Sequence, residues 1–505
     1  MDDVGADARL MALAGRMTLT EKIGQLTMLA DGLVETGPPG PHNPFTMIEE
    51  GRVGSLLNVW GPELVREAQR RAVEETRLGV PLFFGLDVLH GHRTIHPVPL
   101  AEAGAFDREL WEATARDAAT EAAADGVHMT FGPMLDVCRD ARWGRIVESA
   151  GEDPYVTSEF ARARVRGFQT RGADGRMLLA ACAKHFCAYG ASLAGRDYAE
   201  ADVSERALEE VYLPPFRAAV EEGVQAVMPA FIDVAGVAMT AHERLLRRKL
   251  REAWGFGGLV VSDYNAVGEL VAHGVAADLA EAAALALRAG VDIDMMSEAY
   301  PTGLPQALAR GLVTMEQIDD AVLRVLRFKH QMGLFENPYR NMEETPRGAP
   351  APERRALARA AARASIVLAE NRDAFLPLRD ARRIAVIGPL ADRPEDQLGP
   401  WASAGDGAQA VTHRAAIEAR FPDMRYASGG GFEDVTAEEI AQARRAAEGA
   451  DAALLFLGES RMMSGEATSR TRPELPAAQL ELARAVLATG APVVLTLCCG
   501  RPLAL

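Results

Sequence analysis

Cysteine is scarce in this 505-residue chain: Cys138, Cys182, Cys187, Cys498 and Cys499 are five in all, an odd number with only the last two adjacent. That excludes a disulfide framework and leaves them the role of small buried residues. The chain also lacks the roughly 18 consecutive apolar residues of a membrane span. Its start, MDDVGADARLMALAGR, carries acids where a secretion leader would have an apolar core. As written, the protein is expected in the cytoplasm, and in the periplasm or outside the cell if a leader is missing from the sequence. Positive charge is short as well: 54 Lys and Arg stand against 71 Asp and Glu, a net charge of -17. That balance is wrong for gripping phosphate backbones, so neither nucleic acid nor a membrane is expected as a partner. Internal repeats and low-complexity tracts are absent too.

What is present is a soluble-enzyme composition over a length that calls for two or three domains. The first two-thirds alternates short apolar runs with amphipathic stretches, the pattern of βα units around a parallel sheet. Eight such runs stand out: IGQLTML (23–29), VGSLLNV (53–59), VPLFFGL (80–86), VHMTFGP (127–133), MLLAACAKHF (177–186), VQAVMPA (224–230), GLVVS (258–262) and VDIDMMS (291–297). Segments 109–126 and 204–223 between them have helical spacing. Eight strands predict a closed α/β (β/α)8 TIM-like barrel over residues 1–335, with a doubly wound open sheet as the alternative. A stretch rich in Pro and charge, ETPRGAPAPERR, marks a linker at 336–370. A second α/β unit, a sandwich domain, is expected over 371–505, with strands in RIAVIGP (383–389), DAALLFLGE (451–459) and APVVLTLCCG (491–500). Three strands are few for such a unit, and the chain stops at GRPLAL directly after the last, so this sandwich is expected to be incomplete at its C-terminus.

In a closed barrel, chemistry gathers where the strands end. The third run ends in Asp87, with His90 and His92 beyond it, and the fourth leads to Asp136 and the loop CRDARWGRIVES. Lys184 and His185 end the fifth, Met228 lies near the end of the sixth, Asp263 ends the seventh, and Ser297 and Glu298 end the eighth. Charge converging on one rim of an apolar barrel is costly unless it serves a site. Asp263, after a β-branched strand, suits a carboxylate nucleophile held ionised by Lys184, His185 or Arg145. By spacing alone it could equally cap the following helix. A retaining glycosidase would pair it with a second carboxyl about 5 Å away. Glu466, in the polar loop SRMMSGEATSRTRPELP, is the first candidate, and Glu459, ending DAALLFLGE, is the second. Either would have to meet Asp263 across a domain interface, a common place for ligands. As ordinary residues, Glu466 would be a solvated loop side chain, Glu459 a structural hydrogen-bonding group, and Arg145 an ion pair to Glu148 or Glu152.

The segments FGLDVLHGHRTIHPVPL (84–100), WGRIVESAGEDPY (143–155), KHFCAYG (184–190), GRDYAEADVSERALEEVYLPPF (195–216), VMPAF (227–231), WGFGGLVVSDYNAVGEL (254–270) and GLFENPY (333–339) resemble glycoside hydrolase family 3. The resemblance implies a barrel joined to an α/β sandwich, with the aspartate of SDY, here Asp263, as nucleophile. It further implies that Asp87, Arg145, Lys184 and His185 hold the hydroxyls of a terminal sugar, with Met228, Tyr264 and Ser297 lining the pocket. SGEATSR and GRPLAL resemble the β-glucosidase branch, whose loop glutamate, here Glu466, is the acid/base. The N-acetylglucosaminidase branch instead uses an Asp and His dyad on a barrel loop. The corresponding loop here, GRDYAEADVSER, contains no His. Members of the β-glucosidase branch usually complete the sandwich beyond GRPLAL and often add a fibronectin-like domain and a secretion signal, and this sequence departs from them in all three.

The reading that results is a retaining β-glucosidase with a small-molecule carbohydrate substrate, no cofactor and no metal; a homodimer is compatible with it, and β-xylosidase is the nearest alternative. Rival readings are a metal-dependent barrel hydrolase built on His90, His92, Lys184, His185 and Asp263, a Schiff-base aldolase using Lys184, and a sugar-binding pseudoenzyme.

Overall fold

Each of the eight apolar runs contributes one strand shorter than itself: β1 (Thr27–Ala30), β2 (Ser55–Leu57), β3 (Phe83–Leu86), β4 (Met129–Thr130), β5 (Ala180–Phe186), β6 (Ala226–Pro229), β7 (Leu259–Val260) and β8 (Asp294–Met295). The structure, a computed structural model, describes residues 3–30, 43–342, 350–379 and 381–504. All eight strands pair in parallel in the order β8-β1-β2-β3-β4-β5-β6-β7. A parallel bridge between Val261 and Ile293, with the Ser262 N–H donating to the Ile293 carbonyl, joins β7 back to β8 and closes the ring. The open-sheet alternative is thereby set aside. Strands enclosed on both faces need no polar alternation, which is why they read as continuous apolar runs.

The connecting helices follow from cap chemistry and spacing. Arg108–Ala124 begins where Asp107 accepts the Leu110 N–H, and it buries Trp111, Ala115, Ala118, Ala119 and Ala122 along one face. Segment 204–223 does not form the single helix expected. It divides into Glu205–Ala207, a π-turn Leu208–Tyr212 and Pro214–Glu221, because consecutive prolines at 214 and 215 withdraw two backbone donors. Part of the stretch expected as linker is also ordered: helix Pro352–Ala364 lies there, and Arg354 pairs with Asp117 on the Arg108–Ala124 helix. Residues 343–349 of that stretch lie outside the described residues.

Among the described residues the second unit holds four strands rather than three: β9 (Ile384–Ile387), β10 (Arg425–Ala427), β11 (Ala452–Gly458) and β12 (Val493–Cys498), all parallel, in the order β10-β9-β11-β12. The strand that sequence periodicity missed, β10, is three residues long and lies at a sheet edge, too short to show a period. Alternate residues of β9 and β11 serve opposite faces. Ala385, Ile387, Leu455 and Leu457 pack with Leu482 and Val486 on one side, and Ile384, Val386 and Phe456 pack with Leu390 on the other. Among the described residues, no helix is long and apolar enough to cross a membrane.

Candidate active site

The C-terminal ends of the barrel strands meet two loops of the sandwich domain around a pocket of about 530 Å³. From the barrel come Leu57, Asn58, Asp87, Phe131, Arg145, Lys184, Met228, Phe231, Asp263, Tyr264 and Met295; from the sandwich come Trp401, Ser403 and Glu466. A wider cleft of about 1080 Å³ continues outward, shares Trp401, Ser403 and Glu466, and is otherwise lined by sandwich residues such as Arg461, Met462 and Thr468.

Asp263 follows β7 with its side chain buried. Its Oδ1 accepts the Tyr264 N–H at 2.7 Å, and its Oδ2 is buried with no hydrogen-bond partner among the described residues. The helix that follows, Ala266–Ala272, has Asn265 at its N-cap, so the Asp263 carboxylate is not a helix cap. Burial pushes its pKa up to about 7, against the pull of Arg145 and Lys184 and with the push of Glu466. Asp263 is therefore held less firmly ionised than the sequence implied, and part of the reason is His185. Burial, together with Arg145 and Lys184, lowers the His185 pKa well below its ordinary value. A neutral imidazole brings no charge to Asp263, whose Oδ2 lies 3.6 Å from His185 Nε2.

His185 faces the other way as well. Its Nδ1 lies 2.8 Å from Asp136 Oδ2, and Asp136 also accepts the backbone N–H groups of His185 and Tyr189 at 3.0 and 3.1 Å. Burial pushes the Asp136 pKa up to about 7, against the two backbone N–H groups and Arg145; in its ionised form Asp136 draws the imidazole proton to Nδ1 and leaves Nε2 an acceptor facing Asp263. Lys184 bonds Asp87 Oδ1 at 2.6 Å. Burial disfavours its ammonium, but Asp87 and Glu148 outweigh burial and raise its pKa. A Schiff-base lysine needs the opposite shift, so the aldolase reading loses its motive.

Arg145 combines both readings offered for it. Its Nε and one terminal nitrogen make a two-point contact with Glu148 at 2.8 and 3.1 Å, while another nitrogen lies 3.5 Å from Glu466 Oε1 on the pocket wall. Trp401 spreads its ring near both cations, 5.9 Å from the Arg145 guanidinium and 5.3 Å from Lys184 Nζ. The two candidate acids separate clearly. Glu466 lines the pocket and accepts a 2.8 Å hydrogen bond from the Tyr198 hydroxyl. Glu459 instead bonds Arg470, Arg501 and the Gly500 N–H behind the loop. Ser297 does not line the pocket: its hydroxyl donates to Asp294 at 2.6 Å and accepts the Ala299 N–H. The histidines of the metal reading are engaged elsewhere, His90 with the carbonyls of His96 and Pro400 and His92 with Asp125.

Two family models span this architecture: the glycosyl hydrolase family 3 N terminal domain matches residues 18–328, and the family 3 C-terminal domain matches residues 366–505. The chain belongs to glycosyl hydrolase family 3. Within family 3 it is 40% identical to a periplasmic β-glucosidase of Salmonella typhimurium, over 99% of this chain and 68% of that one. It is 34% identical to a β-xylosidase of Formosa agariphila, over 88% of this chain and 65% of that one. The family 3 β-glucosidase of Listeria innocua, solved in complex with isofagomine, superposes with a TM-score of 0.93 at 38% identity, covering all of this chain and 70% of its own. The chain thus spans about two-thirds of the length of these family 3 relatives.

Several pocket residues escaped the sequence reading: Asn58, Phe231, Trp401 and Ser403 line the pocket, and Tyr198 bonds Glu466. Trp401, a lone aromatic in the Gly- and Pro-rich segment LGPWASAGDG, carried a signal that could have found it. Phe231 and Tyr198 fall inside the motif segments VMPAF and GRDYAEADVSERALEEVYLPPF, whereas Asn58 and Ser403 carried no signal.

Proposed function

We propose that this family 3 chain is a retaining β-glucosidase that releases terminal non-reducing β-D-glucosyl residues, with Asp263 as nucleophile and Glu466 as acid/base. The observation that carries the reading is the Asp263 carboxylate itself, one oxygen bonded to a backbone N–H and the other buried, without a hydrogen-bond partner among the described residues, in a residue that lines the same pocket as Glu466. Asp263 Oδ2 attacks the anomeric carbon while Glu466 gives its proton to the departing glycosidic oxygen. Glu466 then takes a proton from the water that releases the sugar. Asp87, Arg145 and Lys184 hold the hydroxyls of the glycone: the carboxylate accepts from adjacent hydroxyls and the two cations donate. With Nδ1 protonated, His185 offers Nε2 as an acceptor to the same sugar. Met228, Phe231 and Tyr264 supply the apolar wall. The outer cleft takes the leaving group.

The choice of glucose is supported by the Salmonella β-glucosidase and by the Listeria β-glucosidase, which has been solved with glucose and, as a mutant, with laminaribiose. The test is a panel of 4-nitrophenyl β-glucoside, β-xyloside and N-acetyl-β-glucosaminide, with 2-fluoroglucosyl trapping and peptide mapping. The expected result is preference for the glucoside and label on Asp263. A preference for the xyloside would move the chain to the nearest alternative, which differs by one hydroxymethyl contact worth about 1–3 kcal/mol. Label on another residue would sink the mechanism.

A further inference from the structure

Asp197 lies in the barrel loop after β5 and does not line the pocket, yet its carboxylate gathers donors from both domains. The Trp143 indole N–H and the Tyr189 hydroxyl donate to Oδ1 at 3.0 and 2.5 Å. The Ala467 N–H donates to Oδ2 at 2.7 Å, and the Asp197 N–H itself donates to the Ser469 hydroxyl at 2.9 Å. Trp143 and Tyr189 are fully buried barrel side chains. Ala467 and Ser469 belong to the sandwich loop on either side of Thr468, immediately after Glu466. One oxygen is thus tied to the rigid barrel and the other to the segment that carries the proposed acid.

The backbone of that segment needs holding. Ala467 has a φ of +58°, a left-handed conformation that costs a residue with a Cβ about 1 kcal/mol and persists only where its surroundings impose it. The Ala467 N–H is the donor that Asp197 receives, so the carboxylate acts at the strained residue. From the neighbouring position, Tyr198 bonds Glu466 directly.

We infer that Asp197 is a positioning residue for the acid/base: it clamps the Ala467 N–H and the Ser469 hydroxyl to the barrel, and this sets where the Glu466 carboxyl stands over the pocket. The inference rests on the assignment of Glu466 as acid/base. Asp197 is an acceptor-only group receiving three donors. An asparagine of the same size keeps one acceptor oxygen but turns an NH2 toward a donor. With its oxygen facing Trp143 and Tyr189, it repels the Ala467 N–H and releases the loop while the barrel contacts stay.

The experiment measures kcat/KM for D197N, D197A and E466A across aryl β-glucosides whose leaving groups run from 2,4-dinitrophenol, which needs no proton, to unsubstituted phenol, which does. Azide is added to intercept the glycosyl-enzyme. For D197N the expected loss is about 10- to 100-fold on the phenyl substrate and less than about 3-fold on the dinitrophenyl one, because only proton delivery is displaced. Azide accelerates turnover of the dinitrophenyl substrate by D197N and yields β-glucosyl azide. Equal losses along the whole series, or a wild-type series, would overturn the inference. If E466A lacks the leaving-group dependence, the Glu466 assignment fails; if E466A shows it and D197N does not, the Asp197 inference alone fails. Should both Asp197 variants fail to fold, S469A removes only the loop hydroxyl from the clamp. The same steepening, at several-fold, is then expected, and an unchanged series overturns the inference.

Discussion

Tyr198 of the barrel and Glu466 of the sandwich are joined by a hydrogen bond of 2.8 Å from the phenol to Oε1, and Arg145 approaches the same oxygen to 3.5 Å. The proposed acid/base is therefore fixed by groups from the opposite domain. Tyr198→Phe removes the neutral donor and leaves the guanidinium. A hydrogen bond to a charged group is worth about 1.5–3 kcal/mol, so kcat on cellobiose is expected to fall roughly 10-fold or more while KM stays within about 2-fold. A wild-type kcat in steady-state assays would show that the bond is idle.

Asp263→Asn separates chemistry from stability. Loss of the proposed nucleophile should lower kcat/KM on 4-nitrophenyl β-glucoside by about 10⁴-fold or more. Stability should move the other way. The folded-state pKa is raised from 3.8 to about 7, so the folded protein holds a proton that the unfolded chain releases, and stability drains away as pH rises from about 4 to 7. The amide has no charge to desolvate. The variant should unfold at a higher temperature than wild type at pH 8, by at most about 4 kcal/mol in stability, with the gap closing toward pH 4. Differential scanning calorimetry at both pH values reads this, and a gap independent of pH would rule out the linkage.

The same group sets the acid limb of the rate profile. As the proposed nucleophile Asp263 must be ionised to attack, and burial pushes its pKa up to about 7 in the free enzyme. The kcat/KM profile on an activated aryl glucoside should therefore fall tenfold per unit of pH below about 7 rather than below the usual carboxylate range. Removing positive charge should move the limb further: Lys184→Met is expected to shift it to higher pH, since Lys184 favours the ionised form. A limb near pH 4 in wild type would mean that Arg145 and Lys184 outweigh burial.

Arg501 tests the joint between the domains. It is buried, bonds Glu459 at 2.9 Å, and donates to the carbonyls of Ala141 and Arg142 in the barrel and of Met463 and Thr468 in the Glu466 loop. Arg501→Met keeps the bulk but removes one of the two arginines on Glu459, leaving Arg470, and takes a donor from each of four carbonyls. With Arg470 still on Glu459 the cost stays below the roughly 3–5 kcal/mol of a buried pair broken outright, but the cross-domain donors are gone, so activity should be lost on heating at a lower temperature than in wild type. Barrel secondary structure, followed by circular dichroism, should persist beyond that point. Coincident loss of both would show that the joint is not the weak element.

What the sequence disclosed was what lies along one strand or one motif. Eight apolar runs were legible as strands because a buried parallel sheet needs unbroken apolar stretches, and Asp87, Lys184 and Asp263 were legible because each ends such a run. The closure of the ring through Val261 and Ile293 was implied only by the count of eight. The fourth sandwich strand stayed hidden because Arg425–Ala427 is too short for a period. Tyr198, Trp401 and Asp197 acquire their meaning from partners more than 200 positions away, such as Glu466, Lys184 and Ala467, and no local pattern encodes such pairings. Ser297 had the position of a pocket residue but spends its hydroxyl on Asp294. Sequence marks the end of a strand, not which way a side chain turns there.

Gly144 is where the barrel loop and the Glu466 loop touch backbone to backbone: the Gly465 N–H donates to its carbonyl at 2.9 Å, and a Cβ at 144 would collide with the Gly465 carbonyl oxygen. Two loops packed this closely, with the Thr468 hydroxyl also against Gly144, must change together or not at all. Grafting the second domain of another homologue onto this barrel therefore calls for residues 141–145 and 463–470 to be exchanged as one cassette. A chimera that brings in any larger residue at 144 would hold Asp263 and Glu466, the two carboxylates proposed for catalysis, on bodies that no longer close on each other.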